Sequence, residues 1–138
     1  MKSTVAVVAD YANVEAHGKL NIMGIFDVIS AQKVPAVHPQ MQLIIRFVAD
    51  PAETNVALPI ETQLVDEDGN VVFGIKGQVT FQGAASGEQS TTNYIVALNN
   101  TRFDKFGDYE FKVLVCDEPI ATIPLKVQQI PPSQPLAA

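Results

Sequence analysis

Residues Thr101 to Val127 read TRFDKFGDYEFKVLVCDEPIATIPLKV. Apolar side chains occupy every second position from Tyr109 to Val115, and the same period of two returns from Ala121 to Val127. Successive side chains of a β-strand point to opposite faces, so this period is typical of strands with one buried face. The break at Asp117-Glu118-Pro119 separates the two runs, and the stretch therefore predicts a β-hairpin.

The entrance to this hairpin, Phe106-Gly107-Asp108-Tyr109, resembles the corner that leads into a central strand of an immunoglobulin-like sandwich. In that corner a Tyr near the strand start caps the turn, and a core residue follows two positions later. The later residue here is Phe111 and not Cys, so no inter-sheet disulfide is implied. The corner points to an architecture and does not identify an activity.

Length and composition indicate one globular domain. The chain has 138 residues, 47% of them apolar and 17% charged, which is enough to bury a core and argues against disorder. We expect a single sandwich domain over residues 1–130. Residues 131–138 are rich in proline and are predicted to form an extended tail.

Charge and cysteine content narrow the classes of partner and compartment. A net charge of -6 and a pI near 4.7 disfavour nucleic acid and anionic lipid, which both require basic residues. The apolar run that ends at Asp10 is too short for a secretory signal, and no segment approaches the roughly 20 apolar residues of a membrane span. A single cysteine allows no disulfide within the chain. The sequence therefore predicts a cytoplasmic protein.

The rest of the chain alternates strand patterns with turn signals. Strands are predicted at residues 4–14, 19–29, 41–49, 60–66, 71–81 and 91–98, with a stiff loop at residues 35–39, a mobile loop at residues 83–90 and a turn at Asn99-Asn100. Asp68-Gly69 between two runs favours a hairpin. No stretch of ten residues has helical periodicity. The fold class is all-β: a two-sheet antiparallel β-sandwich, immunoglobulin-like, of about eight strands.

Three separate motifs resemble a family of small uncharacterised bacterial proteins. They are Asp10-Tyr11-Ala12, the run from Gly18 to Asp27, and Val34-Pro35-Ala36-Val37-His38-Pro39; Arg46 and the corner from Gly107 to Phe111 also fit. The resemblance covers nearly the whole chain and implies a β-sandwich. It implies no catalytic residue, because the family is one of unknown function.

Candidate catalytic and metal-binding residues are few. His17 and His38 fall in predicted loops, and no serine lies in a nucleophile-elbow motif, so a structural role is favoured for both histidines. Cys116 precedes Asp117 and Glu118, whose charges would raise a thiol pKa, so a reactive thiolate is disfavoured. We therefore predict no enzyme activity and no cofactor. Loop carboxylates give a weak Ca²⁺ site at most, and the candidates are Asp66, Asp68, Asp104 and Asp108.

Apolar residues also occur on strand faces that a sandwich would turn to water. They are Met23, Ile25, Ile29, Ile44, Val48 and Leu114. Either a loop or the tail covers them, or the predicted register is shifted by one residue, or they form a contact surface.

Two functions from different classes remain open. The favoured hypothesis is a non-enzymatic protein–protein interaction or structural module that binds a second copy or another protein. The alternative is a small-molecule or Ca²⁺-binding sandwich that uses loop carboxylates and His38.

Overall fold

The fold is an all-β sandwich, seen in a computed structural model that describes residues 1–83 and 87–131. Its described part has nine strands and one short 3₁₀ helix, Pro51–Glu53. The strands are β1 (Lys2–Val14), β2 (Leu20–Phe26), β3 (Val28–Ala31), β4 (Ala36–Ala49), β5 (Ala57–Asp66), β6 (Val71–Thr80), β7 (Ser90–Phe103), β8 (Gly107–Val115) and β9 (Glu118–Gln129).

The strands form two sheets, which confirms the predicted sandwich. One sheet has four strands in the order β2-β1-β4-β7, and the other has five in the order β3-β9-β8-β5-β6. The count exceeds the predicted eight because the segment predicted as one strand, residues 19–29, is divided at Asp27. There the chain leaves the four-stranded sheet as β2 and enters the five-stranded sheet as β3. β3 pairs parallel with β9, whereas the other described pairs are antiparallel.

Both predicted hairpins are confirmed. β8 and β9 are joined through Cys116 and Asp117, whose φ angles of 53° and 64° are those of a type I′ turn. In the turn between β5 and β6, Gly69 has a φ of 84°, and the Asp66 carboxylate accepts the backbone N–H groups of Asp68 and Asn70. Local turn chemistry therefore sets the pairing next to each turn, and a register shift follows in each hairpin, at Leu64/Val65 and at Val113/Leu114.

The core lies between the sheets and is built from the alternating residues of β4, β8 and β9. Tyr109, Phe111, Val113 and Val115 are buried, as the period of two predicts. The Tyr109 hydroxyl donates a 2.8 Å hydrogen bond to the Lys105 carbonyl, and its ring packs edge-on against Phe103 with 5.1 Å between centroids. The predicted tyrosine corner is thus present.

Two predicted connections are wrong. Strand β4 begins at Ala36, so most of the predicted loop at residues 35–39 is strand, and β7 continues through Asn99-Asn100 to Phe103. The register places Pro39 opposite Asn100. Proline has no N–H for the ladder, and Asn100 adopts a φ of 54° at this irregularity, after which pairing resumes.

Two further predictions involve residues outside the described part of the chain. The predicted mobile loop includes residues 84–86, and the predicted tail includes residues 132–138. Within the described residues, no helical segment has the length and apolarity that crossing a bilayer requires.

Candidate interaction site

The hairpin of β1 and β2 bends sharply at one glycine. Gly24 has a φ of 72°, and a Cβ added to it would lie 2.5 Å from Oδ2 of Asp10 on the neighbouring strand. A positive φ and this close approach both favour glycine over every other residue. Gly24 therefore marks the position where the hairpin can leave the plane of its sheet.

Beyond this bend the hairpin lies over the outer face of the four-stranded sheet. The Ala12 N–H donates a 2.7 Å hydrogen bond to Oε1 of Gln42 on β4, and Nδ2 of Asn93 on β7 donates to the Gly18 carbonyl at 3.5 Å. The hairpin thus reaches across β4 to β7. Beneath it Ile44 has no exposed surface, and a second small apolar cluster surrounds it, made of Val7, Ala9, Ala12, Leu20, Ile22 and Ile95.

This arrangement corrects two of the predicted contact residues. Ile44 is on an outer face, as predicted, but the hairpin covers it, so it is not available to a partner. Ile29 is also buried, at 7% exposure, because β3 belongs to the five-stranded sheet and turns Ile29 into the main core. Val48 and Leu114 are half-buried.

The remaining two predicted contact residues are the most exposed large apolar side chains in the described residues. Met23 is 65% exposed and Ile25 is 62% exposed, and both lie on β2, an edge strand. Tyr11, directly opposite Met23 on β1, is also exposed. We call Tyr11, Met23 and Ile25 the hairpin surface. Apolar groups exposed together on one element are typical of a contact surface.

A second exposed apolar region lies at the opposite edge of the molecule and was missed from the sequence. β6 is the last strand of the five-stranded sheet, and Val71, Val72 and Ile75 are exposed on it. A groove of about 520 Å³ separates β6 from β7, the last strand of the other sheet. The alternation of β6 predicts a strand but does not tell whether that strand is central or at an edge. The feature of the sequence that favoured an edge position was the pair of glycines at positions 74 and 77, because glycine weakens the interior of a strand.

The predicted Ca²⁺ ligands are divided between two basic side chains. Nζ of Lys105 lies 3.2 Å from Asp66 Oδ2 and 3.0 Å from Asp68 Oδ2, while Asp104 accepts from Arg102 at 2.6 Å. Asp108 is exposed and pairs in register with Lys126. A cation at Asp66 and Asp68 would have to displace Lys105. No group of three or more potential metal ligands occurs within the described residues.

The ion pairs of Lys105 are reflected in its protonation and in that of Asp66. Hydrogen bonds to Asp68 and Asp66 raise the pKa of Lys105 above its usual value. Desolvation acts to raise the pKa of Asp66, but the backbone N–H groups of Asn70 and Asp68 and the Lys105 ammonium outweigh it, and the pKa is lowered. Both groups are therefore charged at neutral pH, and this cluster fastens the β5–β6 turn to the tyrosine corner.

The two histidines and the cysteine lie on different elements of the fold. His17 is exposed in the β1–β2 turn, and Cys116 is exposed in the β8–β9 turn. His38 packs against Phe26, with 5.5 Å between ring centroids, and shares a cleft of about 270 Å³ with Asp10 and Ser30. In the described chain no hydrogen bond joins these three side chains; Ser30 Oγ instead accepts from Gln128 Nε2 at 3.0 Å.

Comparison with known proteins adds a family and two distant structural likenesses. The model of a family of unknown function, DUF6941, matches residues 4–128. No curated protein matches the chain. An alkylpurine DNA glycosylase, AlkC, of Pseudomonas fluorescens, solved with DNA containing an abasic site analog, is 15% identical with a TM-score of 0.48, over 92% of this chain and 30% of its own. A β-glucuronidase of glycoside hydrolase family 2 is 17% identical with a TM-score of 0.40, over 67% of this chain and 11% of its own.

Proposed function

We propose that this chain, which belongs to DUF6941, a family of unknown function, is a non-enzymatic module that binds another protein through the hairpin surface. The observation that carries the proposal is the exposure of Met23 and Ile25 on an anchored edge strand.

The anchoring of the hairpin supports this proposal. The bend at Gly24 and the cluster around Ile44 hold the hairpin against the sheet, so its outward side chains are presented on a fixed backbone. Binding at a fixed surface costs less conformational entropy than binding at a free loop, because a loop must become ordered when the complex forms. When a partner covers exposed apolar groups in this setting, burial stabilises the complex by about 25 cal/mol per Å² of apolar area.

The test replaces the two exposed side chains of β2 with serine. Wild-type protein and a Met23→Ser/Ile25→Ser variant are used as baits in an extract of the cells that make the protein, and captured proteins are quantified by mass spectrometry. We expect at least one protein to be captured by the wild type and reduced roughly tenfold or more with the variant, since central apolar contacts commonly contribute about 1–2 kcal/mol each.

A matched control removes apolar groups that are exposed elsewhere. Val37→Ser/Val56→Ser changes two exposed valines outside the hairpin surface, and capture should persist. Circular dichroism and urea unfolding must show both variants folded. If no captured protein depends on Met23 and Ile25, or if the control loses it equally, the proposal is wrong.

A further inference from the structure

Strand β6 is a sheet edge whose pairing with β5 has one register shift near its beginning, where Val72 is the extra residue, and is regular from Phe73 to Thr80. It has ten residues, no proline and one charged residue, Lys76, and among the described strands its one neighbour is β5. An edge strand presents unpaired backbone N–H and C=O groups, which proteins usually protect with prolines, several charges, bulges or a covering segment. The length and composition of its regular part, residues 73–80, therefore suit β6 to pairing with another strand.

The two faces of β6 differ in what they offer. On the inner face, Phe73 is opposite Leu64 and is half-buried, and Gly77 is opposite Ile60. A Cβ added to Gly77 would have no atom within 4 Å, so this position has open space above it. The inner face thus has an aromatic ring that is partly uncovered and, four residues further on, a gap.

The outer face has a charge beside its other glycine. Lys76 is opposite Glu61 in the register of β5 and β6. The Glu61 carboxylate, however, extends over Gly74, where an added Cβ would lie 3.3 Å from its Oε2. A carboxylate oxygen is therefore held close to the exposed edge at Gly74.

We infer that β6 pairs antiparallel with β6 of a second copy of this chain, with the two-fold axis at Ile75. In this register Ile75 lies opposite Ile75, Gly74 opposite Lys76, and Phe73 opposite Gly77. The two five-stranded sheets then continue as one sheet across the axis. The surface is separate from the hairpin surface and does not depend on the proposed function.

The register fits the inner face because directly opposed residues project to the same side of a sheet. Each Phe73 ring meets Gly77 of the second copy, and an aromatic ring packed over a cross-strand glycine is a known stabilising pair. The two Ile75 side chains meet at the axis, beside the groove between β6 and β7. Both apolar residues would be covered by the pairing.

The same register fits the outer face by charge. Each Lys76 lies opposite Gly74 of the second copy and therefore next to the Glu61 carboxylate over it. The two-fold axis produces this contact twice. Opposite charges on neighbouring strands stabilise the pair, and like charges destabilise it.

Neighbouring registers lack this fit. Outward-pointing backbone groups occur at every second residue, so each residue of one edge must lie opposite a residue of the same parity on the other. For two identical antiparallel edges, the two-fold axis therefore lies between the two copies of one residue. An axis at Lys76 would set two ammonium groups against each other, and an axis at Gly74 would set Lys76 against Val72. The axis at Ile75 matches both faces at once.

The charge contact can be tested by reversing each partner. Lys76→Glu and Glu61→Lys should each weaken dimerisation roughly tenfold in sedimentation equilibrium, since two contacts change from attraction to repulsion. An equimolar mixture of the two variants should regain a heterodimer, because every contact between positions 61 and 76 of opposite copies then joins a carboxylate to an ammonium group. Within each variant the pair at positions 61 and 76 stays like-charged, so recovery on mixing reports contacts between copies.

Lys112→Glu is the control for net charge, because Lys112 lies on β8, away from β6, next to Glu110. It should leave the dimer intact. A wild-type protein that is monomeric at near-millimolar concentration, single variants that dimerise like the wild type, or a mixture that stays monomeric would each overturn the inference.

The position of the axis has its own test, independent of charge. In a Cys116→Ser background, Ile75→Cys should form a disulfide-linked dimer on mild oxidation, because opposed Cβ atoms lie about 4.5–5.5 Å apart. Val72→Cys, which would face Gln78, should cross-link far less. Equal cross-linking at the two positions, or none at Ile75→Cys, would contradict this register.

Discussion

The hydroxyl of Tyr109 is a single atom whose contribution can be isolated. It donates to the Lys105 carbonyl at 2.8 Å, and burial raises the pKa of Tyr109, so the donor is present at neutral pH. Tyr109→Phe keeps the ring contact with Phe103 and removes the hydrogen bond, which we expect to lower the free energy of unfolding by about 1 kcal/mol in urea titrations. Tyr11→Phe, at an exposed tyrosine, makes the same chemical change and should alter stability by less than about 0.5 kcal/mol. Equal losses in both variants would mean that the corner bond adds no stability.

The hydrogen bond from the Asn70 N–H to the Asp66 carboxylate, together with the ion pair of Asp66 with Lys105, should make stability depend on pH in the acid range. The pKa of Asp66 is lowered in the folded protein, so its stabilising contribution is present above its ordinary pKa of 3.8 and is lost as the pH falls through the lower folded value. We expect wild type to be more stable than Asp66→Asn at pH 7, with the difference shrinking below about pH 4, in urea unfolding at several pH values. Asp27→Asn, whose side chain makes no ion pair among the described residues, is the control. A difference that is constant down to about pH 2 would contradict the assignment.

At the scale of elements, the bent β1–β2 hairpin is held by the residues beneath it. Ile44 is fully buried there, although it lies on the outer face of its sheet. Ile44→Ala should cost roughly 2–4 kcal/mol in urea unfolding, because it leaves a cavity under the hairpin. It should also speed amide hydrogen exchange in residues 10–26 more than in β8. Ile25→Ala removes the same atoms from an exposed position and should cost less than about 0.5 kcal/mol; a similar cost for both would mean that the hairpin does not depend on this cluster.

The same hairpin shows how far element-level prediction from the sequence extends. The period of two correctly assigned the buried face of Tyr109 to Val115, and Asp68-Gly69 correctly located a hairpin, because both signals depend on residues close in sequence. Alternation also placed Ile44 on the outer face of β4, but it could not show that a segment distant in sequence covers that face. Likewise, nothing local marks Asp27 as the residue where the chain changes sheets, because the residues on both sides of it have strand character.

Across the whole molecule, the order of strands decides which residues can meet a partner, and that order follows from long-range pairing. Met23 and Ile25 were predicted as contact residues and are exposed because β2 is an edge. Val72 and Ile75 were not predicted, although β6 is an edge as well, because their pattern is the same as that of a central strand. The candidate Ca²⁺ ligands illustrate the same limit. Asp66 and Asp68 are close together, as their spacing predicts, but only the fold brings Lys105 from another loop between them.

The two proposed surfaces lie at opposite edges of the sandwich, so each should function without the other. β2 is the edge of the four-stranded sheet at the end of the sandwich where β3 is the edge of the five-stranded sheet. β6 is the edge of the five-stranded sheet at the other end, where β7 is the edge of the four-stranded sheet. Changes at distant sites with no shared contacts act independently. We therefore expect Met23→Ser/Ile25→Ser to dimerise like the wild type in sedimentation, and Lys76→Glu to capture the same partner protein as the wild type, though as a monomer. A dimer with two free hairpin surfaces should also be retained longer than this monomer on a densely immobilised partner, because its second contact is intramolecular. Loss of the dimer in the hairpin variant, or loss of capture in Lys76→Glu, would show that partner binding and pairing use one surface and that the assignment of two separate edges is wrong.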